Sequence, residues 1–230
     1  MTRPATRERG YHFYGRRKGH ALSPAQKALR DTLLPRLRIE LGGIIDPHEL
    51  FPETVSKIWL EIGFGGAEHL LWQAQHYPNV GLIGIEPFVN GIVKALAGIR
   101  DTGLSNIRLY DDDVRDLLPS LKTGSIDRVF ILFPDPWPKT RHRRRRIVQH
   151  ELVDELARIL KPAGELRLAS DIPDYVDQML RLVANHPAFE WTATHADDWR
   201  IRPGDWPGTR YEAKAIREGR VPSYLRFLRR

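Results

Sequence analysis

The sequence predicts an α/β fold in which a mostly parallel sheet carries helices on both faces. Three observations predict it. Apolar, strand-like runs recur at Ile58–Ile62, Val80–Ile85, Ile107–Tyr110, Ile126–Phe133 and Glu165–Ala169. Helical stretches lie between several of them, at Ala67–His76, Gly91–Ile99 and Ile147–Leu160. A glycine-rich turn, Gly63-Phe64-Gly65-Gly66, joins the first strand to the first of these helices. Strands alternating with helices argue for parallel pairing through helical crossovers.

The elements follow in order. Residues 1–20 are polar and basic, with scattered Gly and aromatic residues, and are expected to form a flexible arm. A single domain is expected over 21–230. Ser23 can cap a helix, Pro24 suits its first turn, and Gln26 completes a capping box. Leu29, Leu33, Leu37 and Leu41 share one face at spacing four, and Gly42-Gly43 is the expected stop. The alternating strands and helices come next. Phe189–Thr194 and Tyr224–Leu228 read as two further strands. Asp197–Arg210 holds two Trp, two Pro and two Gly and reads as a loop long enough to be functional.

Composition narrows the function. The chain has 230 residues, of which 41% are hydrophobic and 28% charged, so a packed core is expected. It has no cysteine, which excludes disulfides, thiolate metal sites and a cysteine nucleophile. No apolar run resembles a secretory signal or a membrane span, so a cytoplasmic protein without membrane contact is expected. The nine histidines form no recognisable ligand pair, and no metal is expected. Net charge is +7. Six of the eight residues from Lys139 to Arg146 are Lys or Arg. Clustering of this kind points to phosphate contact by Arg141, Arg143, Arg144, Arg145 and Arg146. A solvated first helical turn is the alternative, but cations are unfavourable there.

The first strand ends in Glu61-Ile62-Gly63-Phe64-Gly65-Gly66. Glycines let a backbone turn tightly and approach a ligand, although such a loop alone is weak evidence. The next strand ends in Glu86, where a doubly wound sheet places a carboxylate against ribose hydroxyls. A dinucleotide loop usually carries a third glycine and no nearby acid, because it holds a pyrophosphate. Glu61 would repel that group but could hold a cationic ligand with an amine. Asp113 closes the third strand, where it can accept from an adenine amine. Three acids after three successive strands favour S-adenosyl-L-methionine (SAM) over NAD.

The fourth strand runs into Phe133-Pro134-Asp135-Pro136-Trp137-Pro138-Lys139. Prolines on both sides of Asp135 fix the backbone and forbid helix or ladder. A rigid loop bearing a carboxylate and a flat aromatic at the carboxyl end of a central strand lies where ligands bind in this fold class.

Together with Ser170-Asp171 and Thr209-Arg210-Tyr211-Glu212-x-Lys214, these motifs make the chain resemble the bacterial tRNA (guanine-N7)-methyltransferase family from about Tyr14 onward. The resemblance implies a Rossmann-like class I SAM-dependent methyltransferase with a seven-stranded sheet. It implies methyl transfer from SAM to N7 of the variable-loop guanine of tRNA, giving 7-methylguanosine and S-adenosyl-L-homocysteine. It also implies that Glu61, Gly63, Gly65, Glu86, Asp113 and Asp135 hold the cofactor, and that Lys139, Asp171, Thr209, Arg210, Tyr211 and Glu212 meet the guanosine.

The chemistry fits such a residue set. Guanine N7 is a lone-pair nucleophile with no proton to lose, so positioning dominates and no general base is required. Carboxylates can accept from N1–H and N2–H₂ and stabilise the cationic purine. Asp135, expected nearest the methyl group, is the catalytic candidate. Trp137, Trp199 and Trp206 are the candidate stacking platforms. The alternatives are a SAM methyltransferase acting on rRNA or a small molecule, a nicotinamide dehydrogenase, and a non-catalytic RNA-binding protein on the same scaffold. No obligatory protein partner is expected, and the protein is expected as monomer or homodimer.

Overall fold

A computed structural model describes residues 14–230. The chain runs through helix α1 (Pro24–Leu37), strand β1 (Lys57–Ile62), α2 (Glu68–His76), β2 (Val80–Ile85), α3 (Val89–Thr102), β3 (Ile107–Tyr110), α4 (Val114–Leu117) and β4 (Ile126–Leu132). It continues with α5 (His150–Ile159), β5 (Leu160–Ser170), α6 (Pro173–Ala184), β6 (Phe189–Trp191), α7 (Asp197–Arg200), α8 (Arg210–Arg217) and β7 (Ser223–Arg229). The seven strands form one sheet in the order β3-β2-β1-β4-β5-β7-β6. The first five are parallel; β7 runs antiparallel to both β5 and β6. The order reverses between β1 and β4, and such a switch point opens a crevice at the carboxyl ends of the strands.

The sheet is covered on both sides. Alternate residues of β1 face opposite layers: Ile58, Leu60 and Ile62 join Leu117, Leu152, Leu156, Tyr175 and Met179, whereas Trp59 joins Leu34, Leu70, Ile92 and Leu96. Helices α4, α5 and α6 therefore cover one face, and α1, α2 and α3 the other. Each such large side chain taken from water contributes about 1.5–3 kcal/mol.

The structure moves several expected boundaries and opens the expected loop Asp197–Arg210 with the short helix α7. The capping box of α1 forms as expected between Ser23 and Gln26. The helix stops at Leu37, however, because Arg38 turns extended and Ile39 N–H donates to Leu109 at the edge of β3. Leu41 consequently lies exposed beyond the helix. Residues 140–145 form a 3-10 turn of their own, and α5 begins only at His150. The basic run is thus not the first turn of α5, and the dipole argument against a solvated run does not apply to it. Strand β5 starts at Leu160, five residues before the apolar run, and its register against β4 shifts after Leu160. Ala163 takes a left-handed φ of 61° at this irregularity.

Of the expected basic arm, residues 1–13 lie outside the described residues. Residues 17–20 are fastened to the start of α3: Val89 N–H donates to Arg17, Gly19 N–H to Asn90 Oδ1, and Asn90 Nδ2 to His20.

Candidate active site

The crevice at the switch point is a cavity of about 950 Å³. Gly63, Gly65, Glu86, Asp113, Asp135 and Tyr211 all line it. Behind β1 the backbone takes left-handed φ at Gly63 (75°), Gly65 (55°) and Ala67 (66°), a path that favours glycine. A Cβ on Gly91 of α3 would stand 2.5 Å from the Gly65 carbonyl, so the helix packs directly on this loop.

Glu86 closes β2 with its carboxylate buried. Oε2 accepts from Gly65 N–H at 2.7 Å and Oε1 from Phe88 N–H at 3.0 Å. Burial pushes its pKa up, against the pull of these two N–H groups, and the charges of Asp135 and Glu61 push the same way. Each oxygen keeps a second lone pair for a ribose hydroxyl. The cradle therefore fits the sugar of SAM.

Asp113, also buried, caps α4 by accepting from Arg115 N–H, and the Arg115 guanidinium clasps both its oxygens at 3.0 and 2.7 Å. Neighbouring Asp112 pairs with Arg17 at 2.8 Å. The segment before α1 is thereby pinned to the end of β3, and Tyr14, Gly15 and Arg16 form part of the cavity wall.

Glu61 sits behind the cavity wall rather than on it. It is 3% exposed, and its Oε2 lies 2.8 Å from His69 Nδ1.

Asp135 projects from the Pro-rich loop after β4. It is exposed and makes no hydrogen bond or ion pair with a described residue. The loop around it is strained: Phe133 and Trp137 have φ of 50° and 42°, costing about 1–3 kcal/mol each. Arg146 offsets part of that cost. Its Nε donates to Pro136 at 2.8 Å, its other nitrogens bind Asp174 at 2.5 Å and Gln178 at 2.7 Å, and its cation lies 4.6 Å from the Tyr175 ring centroid.

That arrangement corrects one expectation. Arg146 is 2% exposed and cannot meet a phosphate, because its guanidinium holds the Pro-rich loop to α6. Arg143 pairs with the same Asp174 and stays half exposed. Arg141 and Arg144 are exposed, and Lys139 stands beside them. Arg145 lies between two aromatic faces, 4.7 Å from Tyr14 and 5.1 Å from Trp137. Trp137 lines the cavity, whereas Trp206 is a core residue against Phe130, His69 and Tyr224 and is no platform. Trp199 packs against the core cluster behind β6 and β7 and does not reach the cavity.

The Thr209–Glu212 motif is the start of α8. Thr209 caps it, accepting from Glu212 N–H. Glu212 is buried, receiving Tyr224 O–H at 2.7 Å and pairing with Arg202 at 3.0 Å. Arg210 pairs with Glu68 at the start of α2. These contacts lay Tyr211 over the glycine loop: a Cβ on Gly65 would stand 2.8 Å from the Tyr211 hydroxyl. Burial raises the Tyr211 pKa, and the Glu86 charge adds to it. Asp171 pairs with Arg220 at 2.5 Å. Thr209 and Glu212 hold each other, Arg210 holds Glu68 and Asp171 holds Arg220, and none of the four motif residues lines the cavity.

Sequence reasoning missed Arg115, Arg17 and His69. Only His69 left a trace, in its spacing of four from Gln73 on the helix after the glycine loop. Among the described residues no group of three or more His, Asp and Glu is disposed to hold a metal, and no helix is long and apolar enough to cross a membrane.

This strand order, with carboxylates at the ends of β1, β2 and β3 and a glycine loop beneath α2, defines a class I SAM-dependent methyltransferase. Solved structures share that fold. An antibiotic-related methyltransferase superposes with a TM-score of 0.53 at 16% identity, covering 85% of this chain and 98% of that one. Precorrin-6y C5,15-methyltransferase from Geobacter metallireducens GS-15 gives 0.51 at 16% identity over 76% and 81%. The family described as "Putative methyltransferase" matches residues 55–223. The tRNA (guanine-N(7)-)-methyltransferase of Rhodospirillum rubrum is 54% identical, covering 95% of this chain and 88% of that protein. Those of Azorhizobium caulinodans (52%, all of both chains) and Agrobacterium fabrum (51%, 95% of both) are similar. The chain belongs to the tRNA (guanine-N(7)-)-methyltransferase family.

Proposed function

We propose that this chain methylates N7 of the variable-loop guanine of tRNA, with Asp135 as the carboxylate beside the reacting centre. The observation that supports it is the placement of Asp135: unpaired among the described residues, on a strained and braced loop, facing the Glu86 cradle across one cavity. When bound, SAM supplies a sulfonium methyl group that is electrophilic without further activation.

The protein's task is alignment. Glu86 receives the ribose hydroxyls, Asp113 and its Arg115 clasp border the adenine, and Glu61 supplies negative charge behind the glycine loop. Asp135 accepts from the N–H edge of guanine and stabilises the positive charge that develops on the purine. Trp137 is the stacking surface. Tyr211 meets the substrate directly, and Asp171, Thr209, Arg210 and Glu212 act by fixing the segment that carries it. Lys139, Arg141, Arg143, Arg144 and Arg145 face tRNA phosphates.

The test is nucleoside mass spectrometry on unmodified tRNA incubated with protein and SAM. 7-Methylguanosine mapping to the variable loop supports the reading. Methylation of rRNA but not tRNA would move the substrate elsewhere. The same reading has residues 21–230 as one domain that takes in residues 14–20 as part of its site, working in the cytoplasm as monomer or homodimer without an obligatory protein partner. Light scattering on the purified protein decides the oligomer.

A further inference from the structure

Three buried side chains form a continuous hydrogen-bonded line from the end of β1 to the loop over residues 201–209. Glu61 Oε2 lies 2.8 Å from His69 Nδ1. His69 Nε2 lies 3.0 Å from Gln73 Nε2, and Gln73 Nε2 donates to the Asp205 carbonyl at 2.9 Å. The three residues are 3%, 2% and 0% exposed, so no water competes along the line. The loop also touches His69 through Trp206, whose ring centroid is 5.7 Å away at 79°. Asp205 is itself fixed to the sheet, by Arg167 at 2.8 Å.

The direction of each hydrogen bond is determined. A backbone carbonyl can only accept, so the Gln73 atom facing Asp205 is its amide nitrogen. The same nitrogen faces His69 and gives its second hydrogen to Nε2. Nε2 therefore carries no proton, and Nδ1–H donates to the Glu61 carboxylate. With the opposite amide orientation, two oxygens would oppose each other at 2.9 Å. The loop carbonyl, through Gln73, and the Glu61 carboxylate thus require the same histidine tautomer, and the ring joins the two ends.

We infer that His69 and Gln73 are positioning residues that couple the 201–209 loop to the cofactor end of β1. The inference rests on the reading that Glu61 serves the cofactor. The loop leads directly into Thr209 and Tyr211, so substrate-induced movement there reaches Glu61 through two side chains that touch neither ligand.

Two measurements on the full chain test this. Nitrogen NMR of isotope-labelled histidine, with the His69 signal assigned by its loss in His69→Asn, should show a neutral ring protonated on Nδ1. Gln73→Met should leave Nδ1–H on Glu61 but move the Nε2 signal as its donor is lost, and weaken SAM binding about three- to tenfold, the loss of one hydrogen bond's worth of orientation. An Nε2-protonated or doubly protonated ring in the unaltered protein overturns the inference. So does unchanged SAM affinity in Gln73→Met while Glu61→Gln binds weakly. If Glu61→Gln also binds normally, the cofactor role of Glu61 fails and the inference with it. A cooperative thermal transition in each variant separates these outcomes from unfolding.

Discussion

Arg146 donates to the Pro136 carbonyl at 2.8 Å, so a cation within the basic run faces inward and braces the loop that carries Asp135. Its neighbours Arg141 and Arg144 face solvent. Adjacent arginines therefore answer to different measurements. Arg146→Ala should destabilise the fold by about 1–3 kcal/mol, leaving Asp174, Gln178 and Pro136 without their shared donor. It should lower kcat through the loosened loop and leave the salt dependence of tRNA binding unchanged. Thermal melts, turnover and a salt titration check all three.

The double variant Arg141→Ser, Arg144→Ser should do the reverse. Stability should hold, because both side chains are exposed. The slope of log affinity against log salt should flatten by up to about two, one for each phosphate no longer neutralised. An unchanged slope would remove these residues from the interface.

Asp135→Ala should reduce turnover by about 10²–10³-fold, the loss expected on removing one electrostatic contact to a developing charge. The exposed carboxylate holds no other described part of the protein, so the melting temperature should barely move. Mass spectrometry of the product nucleoside reads the effect, and normal turnover would refute the assigned role.

Glu86 carries the pH dependence. Burial raises its pKa in the fold above that of the unfolded chain. The folded state then binds more protons between the ordinary carboxylate range and the raised value, and stability falls as pH rises through that window. Glu86→Gln should remove that loss, so the variant without cofactor should gain stability over the parent as pH approaches neutrality. SAM should bind about ten- to a hundredfold more weakly, since a charge-assisted contact is gone. Melts across pH, paired with SAM titrations, check both signs.

Gly65→Ala should weaken SAM binding twice over, from its φ of 55° and from a Cβ set 2.8 Å from the Tyr211 hydroxyl. The left-handed backbone alone costs about 1–2 kcal/mol. Adding Tyr211→Ala should recover only the steric share. Full recovery would mean that the backbone is not strained, and no recovery that the tyrosine does not crowd the loop.

The sequence made some of this legible and hid the rest for physical reasons. The strands showed because the core strands β1, β2 and β4 are nearly continuous apolar runs; Glu61 and Glu86 showed because they end β1 and β2, and Asp113 because it follows β3. Helix α8 did not show, because the residues it buries are Glu212 and Ala215, and a buried acid reads as a solvated one until Tyr224 and Arg202 are found across from it. Helix α6 places Tyr175, Met179 and Val183 at spacing four, a pattern present but overshadowed by the Ser170-Asp171 motif before it. The inward turn of Arg146 had no local signature. Its partners Asp174 and Gln178 lie on another helix, and only the tertiary fold distinguishes it from Arg144.

The sheet order carries a consequence for how the chain is made. Among the described residues, strand β6 pairs with β7 alone, and β7 is translated after it. A nascent chain emerging from the ribosome therefore holds β6 without a partner and leaves the edge of β5 open until residues 223–229 arrive. The arriving strand does more than close that edge. Its Tyr224 hydroxyl locks Glu212 and so seats the helix that carries Tyr211 over the glycine loop. Completion of the sheet and closure of the site are one late event in biosynthesis, which makes β7 the point at which premature truncation costs the architecture and the chemistry together.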